Sequence, residues 1–145
     1  MTDYKQGEQY AKMCLEATGH SVIDRSETEE YWSKDIDLTA TKDGRKFEIE
    51  VKWDSRISRS KSLFLELITD KQKNKAGWAS YTEADYIFYG DAITKIFYVF
   101  AAEDMREYLK NFSQEFSERI AIDRDFQGNI RKQSIGAVVP LASFC

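Results

Sequence analysis

Hydrophobic and polar residues alternate with a period of two along residues 34–53, whose sequence is KDIDLTATKDGRKFEIEVKW. The apolar positions on either side of the central Asp43-Gly44 pair are Ile36, Leu38, Ala40, Phe47, Ile49, Val51 and Trp53. Strict alternation is typical of a half-buried β-strand, and Asp-Gly between two such runs favours a tight turn. The pattern therefore predicts a β-hairpin with one apolar face and one polar face.

Two segments have the spacing of apolar residues that is typical of helices. Residues 4–18 form the first, and Gly19 is its C-terminal stop. Its apolar stripe consists of Tyr10, Met13, Cys14 and Ala17. Residues 101–116 form the second helix, and the acidic residues in its first turn complement the helix dipole.

The other periodic segments are short and rich in β-branched and aromatic residues. The predicted strands are residues 21–24, 63–68, 84–90 and 95–100, of which 63–68 could also begin a helix. A second hairpin is predicted across Gln127-Gly128, and Pro140 marks residues 137–144 as an edge strand. This order predicts one α/β domain over residues 1–145, with a mixed four- or five-stranded sheet flanked by helices.

Composition excludes several classes of protein. Hydrophobic residues make up 42% of the chain and aromatic residues 14%, which argues against disorder. No apolar run is long enough to cross a membrane and no signal peptide precedes the first helix, so we expect a cytoplasmic protein without a membrane partner. With two cysteines and only His20, zinc sites and histidine-dependent nuclease sites are excluded, and any metal must be held by oxygen ligands.

Charge is unevenly distributed along the chain. The net charge is −4, yet residues 42–75 carry ten Lys or Arg against six Asp or Glu. A basic segment on an acidic body can guide a polyanion to one surface, although a solvated loop would have the same composition. The candidate contacts to nucleic-acid phosphates are Arg56, Ser58, Arg59, Lys61, Lys71, Lys73 and Lys75.

The polar face of the first hairpin carries the candidate chemistry. Asp37 on one strand and Glu50 and Lys52 on the next are costly to bury unless a metal or a phosphate satisfies them. Mg²⁺ prefers one or two carboxylates together with water and substrate phosphate, and a nearby lysine can stabilise charge in the transition state. The alternative is an ordinary solvated face of an amphipathic hairpin.

Asp37 followed by Glu50-Val51-Lys52 resembles the signature of the PD-(D/E)xK nuclease superfamily. The resemblance implies a restriction-endonuclease-like core and a magnesium- or manganese-dependent deoxyribonuclease. It assigns metal binding to Asp37, Glu50 and the Val51 carbonyl, and catalysis to Asp37, Glu50 and Lys52. Ile36 stands where the family name has proline, and Asp35 is an alternative to Asp37 because both share one face.

A wider resemblance to phage-encoded and Holliday junction resolvase-like members covers most of residues 8–100. It rests on LFLEL at 63–67, a lysine-rich segment and GWASYTEADYIFYGD at 77–91. It implies auxiliary site residues at Glu8 in the first helix and at Glu66. For each of these glutamates, a purely structural position is the alternative.

These observations predict a metal-dependent DNA endonuclease for phage DNA processing or Holliday junction resolution. A restriction-like or homing endonuclease is the sibling alternative, and a catalytically idle nucleic-acid-binding or interaction domain of the same fold is the other. Paired cuts on two strands favour a twofold homodimer. The chain has 20 Phe, Tyr and Trp residues, which could supply its interface. The candidate interface residues are Phe97, Phe112, Phe116 and Phe126.

Overall fold

The predicted hairpin is present in the computed structural model of the chain. Strand β2 (Leu38–Lys42) pairs antiparallel with β3 (Arg45–Asp54), and the turn between them consists of Asp43 and Gly44 alone. Both turn residues have positive φ, 53° and 78°. A two-residue turn of this kind matches the twist of the flanking strands, and it requires residues that tolerate the left-handed region.

The structure describes residues 3–71, 73, 75–111 and 117–141. They group into two units, which are described separately. Unit 1 comprises Met1–Ser60 and Thr82–Asp104, and unit 2 comprises Lys61–Tyr81 and Met105–Cys145. The single domain over residues 1–145 stays a prediction. No helix in the described part of the chain is long and apolar enough to span a membrane.

Unit 1 contains a mixed five-stranded sheet, as predicted, and its strands have the order β1-β2-β3-β6-β7. The added strands are β1 (Ser21–Asp24), β6 (Tyr86–Asp91) and β7 (Ile96–Ala101). Only the β3–β6 pair within this sheet is parallel. The helices of this part of the chain are α1 (Asp3–Ala17), α2 (Glu29–Trp32) and α3 (Ile57–Ser60).

Helix α1 packs on the apolar face of the first hairpin. The core residues are Ala11, Leu15, Leu38, Ala40, Ile49 and Val51. Gly7 allows close approach, since a Cβ there would lie 2.7 Å from the Trp53 Cβ. The predicted stripe was wrong at Met13, Cys14 and Ala17, which are exposed. The buried face of α1 consists of Gly7, Glu8, Ala11 and Leu15. The search for apolar spacing missed this face because two of its four residues are a glycine and a glutamate.

Unit 2 contains a four-stranded antiparallel sheet in the order β5-β4-β9-β8, which the sequence analysis did not predict. Its strands are β4 (Ser62–Asp70), β5 (Lys75–Ala76), β8 (Ser117–Arg124) and β9 (Ile130–Pro140). Residues 63–68 are therefore extended, and the hairpin across Gln127-Gly128 is confirmed. Helix α4 (Trp78–Tyr81) belongs to this unit, and α5 (Ala102–Asn111) is divided between the two.

The predicted edge strand at residues 137–144 was wrong. Residues 137–140 are the end of β9, and β9 lies between β4 and β8. Pro140 is tolerated because it is the last residue of the strand, so its missing N–H interrupts no ladder. Residues 142–144 of that segment and 112–116 of the predicted second helix lie outside the described residues.

The aromatic residues named for a dimer interface have different environments. Phe97 packs inside unit 1 against Trp53, with ring centroids 5.5 Å apart, and against Phe88. Phe126 lies in the β8–β9 turn and is 98% exposed. Phe112 and Phe116 lie outside the described residues. Phe97 is thus a core residue, and the homodimer stays a prediction.

Candidate active site

Asp37 lies directly before β2, where the pairing with β3 continues for one more residue. Its N–H donates to the Ile49 carbonyl at 2.9 Å. Its carboxylate accepts a hydrogen bond from the Val51 N–H at 2.8 Å, because β2 has no further backbone there to occupy that donor. These two bonds fix the Asp37 side chain beside the middle of β3.

The Val51 carbonyl faces the same side of β3 as Asp37. In an extended strand the N–H and C=O groups of one residue point in the same direction, and the Val51 N–H points at the Asp37 carboxylate. Val51 is therefore placed to offer a backbone oxygen next to that carboxylate, which is the arrangement that the family resemblance implies.

Glu50 and Lys52 form an ion pair on β3. The Glu50 side chain is buried, with the residue 2% exposed, and its Oε1 lies 2.7 Å from the Lys52 Nζ. The other carboxylate oxygen, Oε2, is buried and has no hydrogen bond among the described residues. Lys52 is more accessible, with 28% of its side chain exposed. The pair thus presents an ammonium group to solvent and a carboxylate oxygen that needs a ligand.

The electrostatics of the cluster favour a bound cation. Burial raises the pKa of the Glu50 carboxyl well above its ordinary value, although Lys52 opposes the shift. Burial also raises the pKa of Asp37, against the hydrogen bond from the Val51 N–H. For Lys52, burial alone would lower the pKa, but the surrounding carboxylates, Glu50 first, outweigh it and raise the pKa. Lys52 therefore stays protonated, but its single positive charge does not compensate all of the carboxylates around it.

Asp35 lies in the turn before Asp37 and belongs to the same cluster. Its φ is 58°, and its carbonyl accepts a hydrogen bond from the Thr82 hydroxyl at 3.1 Å. Its negative charge acts on both Glu50 and Lys52. Asp35 and Asp37 thus both contribute charge, and a β3 backbone donor fixes the Asp37 carboxylate.

Glu8 is buried at 5% exposure on the face of α1 that packs on the sheet. Burial and then the negative charge of Asp37 raise the pKa of Glu8 to about 7, while Lys5 opposes the shift. The Lys5 Nζ lies 4.0 Å from the Glu8 Oε2 and donates to the Ser26 hydroxyl at 2.9 Å. Glu8 thus faces the cluster. Sequence analysis missed Lys5, although its i, i+3 spacing from Glu8 was available as a signal.

Replacing Glu8 by Gln is expected to flatten the pH dependence of stability in metal-free protein. The folded-state pKa of about 7 exceeds the ordinary value of 4.5, so the folded state holds the proton more tightly. This contribution, up to about 3 kcal/mol, is fully present below pH 4.5 and is lost as the pH rises through 7.

Urea unfolding at a series of pH values with excess chelator measures the effect. Glu16→Gln, at an exposed position of the same helix, is the matched control and should keep the parental slope. An unchanged slope in Glu8→Gln would mean that Glu8 titrates like a solvated carboxylate.

Glu66 lies on β4 in unit 2, partly buried. A Cβ on Gly77 would lie only 2.5 Å from the Glu66 carbonyl oxygen, so the backbone at Glu66 is in tight contact with that glycine. Unit 1 brings together Glu8, Asp35, Asp37, Glu50, Val51 and Lys52, and Glu66 is not among the residues of that unit.

The candidate phosphate contacts are also divided between the units. Arg56, Ser58 and Arg59 belong to unit 1, whereas Lys61, Lys71, Lys73 and Lys75 belong to unit 2 and are all exposed. The Arg56 guanidinium is paired with Asp54 at 3.0 Å. The Ser58 hydroxyl donates to the buried Asp91 carboxylate at 2.5 Å. Arg59 is exposed, so it is accessible to a phosphate.

The donor set fits a hard divalent cation that keeps part of its water shell. Among the described residues, no three histidine, cysteine, aspartate or glutamate side chains are close enough to enclose a metal by themselves. The Asp37 carboxylate, the buried Glu50 Oε2 and the Val51 carbonyl nevertheless match the needs of Mg²⁺, which retains waters and recruits substrate oxygens.

Comparison with solved structures gives a similar fold. The chain aligns with a bacterial homing endonuclease, I-Ssp6803I, with a TM-score of 0.56 and 15% sequence identity. The alignment covers 73% of this chain and 71% of that one. The fold resembles that of a nuclease. No family model and no curated protein matches the sequence.

Proposed function

We propose that this protein is a metal-dependent endonuclease that hydrolyses phosphodiester bonds in DNA. The observation that carries the proposal is the cluster of Asp37, Glu50 and Lys52, in which a buried carboxylate oxygen has no hydrogen bond among the described residues. The likeness in fold to a homing endonuclease supports the same class of reaction.

Asp37, Glu50 and the Val51 carbonyl would hold Mg²⁺ or Mn²⁺, and Glu8 and Asp35 would add negative charge around them. A bound divalent ion would lower the pKa of a coordinated water and screen the charge that develops on the phosphoryl oxygens. The raised pKa values of Glu50 and Asp37 mean that without a metal these carboxylates favour protons, so the ion and protons compete for the same oxygens.

Lys52 acts as a hydrogen-bond donor and a positive charge rather than as a base. The surrounding carboxylates raise its pKa, so its ammonium group is retained at neutral pH. Glu50 holds that group at 2.7 Å, and the side chain is partly accessible to a substrate. Lys52 therefore orients the attacking water and stabilises charge on the phosphate in the transition state.

Two classes of DNA substrate have separate support. The wider sequence resemblance favours branched DNA, as in phage DNA processing or Holliday junction resolution. The structural likeness favours an endonuclease of the homing type, for which we propose duplex DNA as the substrate. We expect two strands to be cut in both cases, which is the reason for proposing a homodimer.

A panel of labelled substrates tests the function and separates these classes. Junction, flap, linear duplex and single-stranded DNA are incubated with the protein, with and without Mg²⁺. Preferential cleavage of the junction supports resolution, and cleavage of duplex at few sites supports a homing or restriction type. If no DNA is cut but DNA is bound, the protein is an idle nucleic-acid-binding domain of this fold.

Cleavage is expected to require a divalent ion. Mg²⁺ or Mn²⁺ should support turnover, whereas Ca²⁺ should bind without supporting it, because the candidate ligands are all oxygen atoms and the chemistry demands compact octahedral geometry. Initial rates are measured across metal concentrations, and binding of each ion is measured by calorimetry. Full activity in excess chelator would contradict the metal mechanism.

Removing Arg56, Arg59 and Lys61 together is expected to weaken DNA binding and reduce its salt dependence. Each lost phosphate contact lowers the slope of log affinity against log salt by about 0.9. The slope should decrease by less than three phosphate contacts would give, because Arg56 is already paired with Asp54. Fluorescence anisotropy at several salt concentrations gives the slope.

A triple substitution of the exposed cations Lys95, Arg106 and Lys110 is the control for net charge. If both triple variants weaken binding equally, the basic segment is only a solvated surface that contributes general charge.

A further inference from the structure

Strand β8 forms one edge of the described four-stranded sheet of unit 2. It is eight residues long, and β9 is its one neighbour in that sheet. An edge strand of this length offers a row of backbone donors and acceptors to another chain unless bulges, prolines or repelling charges protect it. β8 contains no proline, and its one register irregularity lies at its end, between Asp123 and Arg124.

Apolar side chains in the middle of β8 are unusually accessible. Ile120 and Ile122 are each 48% exposed. They are two residues apart, so they lie on the same face of the sheet. Their partners on β9 are Ile135 and Gln133. Two half-exposed isoleucines on an edge strand are a favourable contact surface for a further strand.

The sequence of β8 is self-complementary about Ala121. An antiparallel copy centred on this residue would place Ile120 opposite Ile122, Arg119 opposite Asp123 and Glu118 opposite Arg124. Each isoleucine lies opposite an isoleucine, and each cation lies opposite a carboxylate. Every such pair occurs twice because of the twofold symmetry. Centring the pair on Ile120 or Ile122 would break this match, and a parallel pair would oppose like charges.

The contacts within one chain are compatible with this pairing. The Asp123 carboxylate lies 3.7 Å from the Arg131 guanidinium, and both side chains are substantially exposed. The Arg119 guanidinium stacks over the Phe64 ring, 5.2 Å from its centroid. Exposed ion pairs contribute little free energy, so the charges of β8 can be shared with a second strand.

We infer that β8 pairs antiparallel with β8 of a second copy of this chain, around a twofold axis through Ala121. The two four-stranded sheets then form one eight-stranded sheet, Ile120 and Ile122 become covered, and four ion pairs cross the interface. The inference rests on the charge and apolar complementarity of the strand and holds whether or not the protein cleaves DNA. A strand-edge interface is small, so a weak, concentration-dependent dimer is expected.

Reversing one charge at a time tests the register. Asp123→Arg leaves two cations, at positions 119 and 123, and Arg119→Asp leaves two carboxylates. Each variant alone should raise the dimer dissociation constant about 10-fold or more, because opposite charges become like charges at two symmetric positions. Sedimentation equilibrium compares each with the parent, for which a dimer of the 16.9 kDa chain is expected. Glu16→Arg, which makes the same charge change on α1 as Asp123→Arg, should have no effect.

Two further samples separate the interface from effects within one chain. An equimolar mixture of the two single variants should form a heterodimer, since every charge then meets its opposite. The double variant Arg119→Asp/Asp123→Arg should dimerise by itself, although the ion pair between residue 123 and Arg131 is lost in it as in the single variant. Circular dichroism confirms that each variant is folded. Recovery in neither sample would overturn the inference, as would a parent that stays monomeric up to millimolar concentration.

A covalent trap gives a second, direct measurement. In a background with Cys14 and Cys145 changed to Ser, Ala121→Cys should give a disulfide-linked dimer on mild oxidation, because opposed Cβ atoms in an antiparallel pair lie about 5 Å apart. Ser117→Cys is the matched control, since residue 117 would oppose residue 125. Its two copies would be about 27 Å apart at about 3.4 Å per residue. Equal trapping at both positions would show random collision and contradict the proposed register.

Discussion

Lys52→Ala is expected to lower the rate of DNA cleavage by at least about 100-fold while leaving DNA affinity almost unchanged. The substitution removes a preorganised ammonium group that the surrounding carboxylates keep charged. Binding changes little because many other exposed cations can contact phosphates. Single-turnover cleavage and anisotropy on the same substrate separate the two quantities.

Lys46→Ala is the matched control for this substitution. Lys46 lies on the same strand and on the same side of it as Lys52, but it is exposed and paired with Glu48 at 3.4 Å. It should keep the parental rate. A parental rate in Lys52→Ala would remove Lys52 from the catalytic set, and an equal loss in both variants would indicate a general effect of charge on substrate binding.

The hairpin that carries the site could be predicted because its information is local. Alternation over residues 34–53 defines which side chains share a face, and Asp43-Gly44 defines the turn and hence the register. With that register, Asp37 and Glu50 necessarily lie beside each other. The mixed five-stranded sheet followed from the order of the remaining segments and is confirmed.

The buried face of α1 could not be predicted from apolar spacing. Its contact surface includes Gly7, which has no side chain to clash with Trp53, and Glu8, which faces the Asp37 cluster. A glycine and a glutamate on the inner face break the apolar pattern, so the neighbouring face with Met13 and Cys14 resembled a core stripe. Apolar spacing thus missed the inner face of α1, although the family resemblance had already indicated Glu8 on that face as an auxiliary site residue.

The second sheet was missed because its strands pair across long stretches of sequence. β4 pairs with β9, whose partner residues are about 70 positions away, and no local pattern indicates such a pairing. The sequence analysis also separated the second strand of the Gln127-Gly128 hairpin from the strand predicted at 137–144, whereas β9 continues from Ile130 to Pro140. Gly136 is instead required inside β9, since a Cβ there would lie 2.4 Å from the Phe64 ring.

Glu50→Gln is expected to lower cleavage by about 1,000-fold and, at neutral pH without metal, to stabilise the folded protein by about 1 kcal/mol. The first effect follows from the loss of a ligand to the divalent ion. The second follows because burial makes the Glu50 charge unfavourable in the folded state, as its raised pKa indicates. Removing one partner of a buried pair usually destabilises, but here Asp35 and Asp37 remain close to Lys52 and keep its charge compensated.

The sign of the stability effect depends on pH. A raised folded-state pKa means that the parent gains stability at low pH, where Glu50 is protonated, and loses it as the pH rises above the ordinary value of 4.5. The advantage of Glu50→Gln should therefore be absent near pH 4 and should grow towards pH 8. Urea unfolding in chelator measures it, and calorimetric titration with Mn²⁺ measures the lost ligand independently of cleavage.

Glu48→Gln separates this effect from a general loss of charge on β3. Glu48 accepts a hydrogen bond from the Thr39 hydroxyl at 2.6 Å and pairs with Lys46, so its carboxylate is already satisfied. Its replacement should leave Mn²⁺ binding intact and should not stabilise the protein. If Glu50→Gln bound Mn²⁺ as the parent does, Glu50 would not be a ligand. If it were destabilised by several kcal/mol, the ion pair with Lys52 would be the reason for the buried glutamate, and the site would be structural.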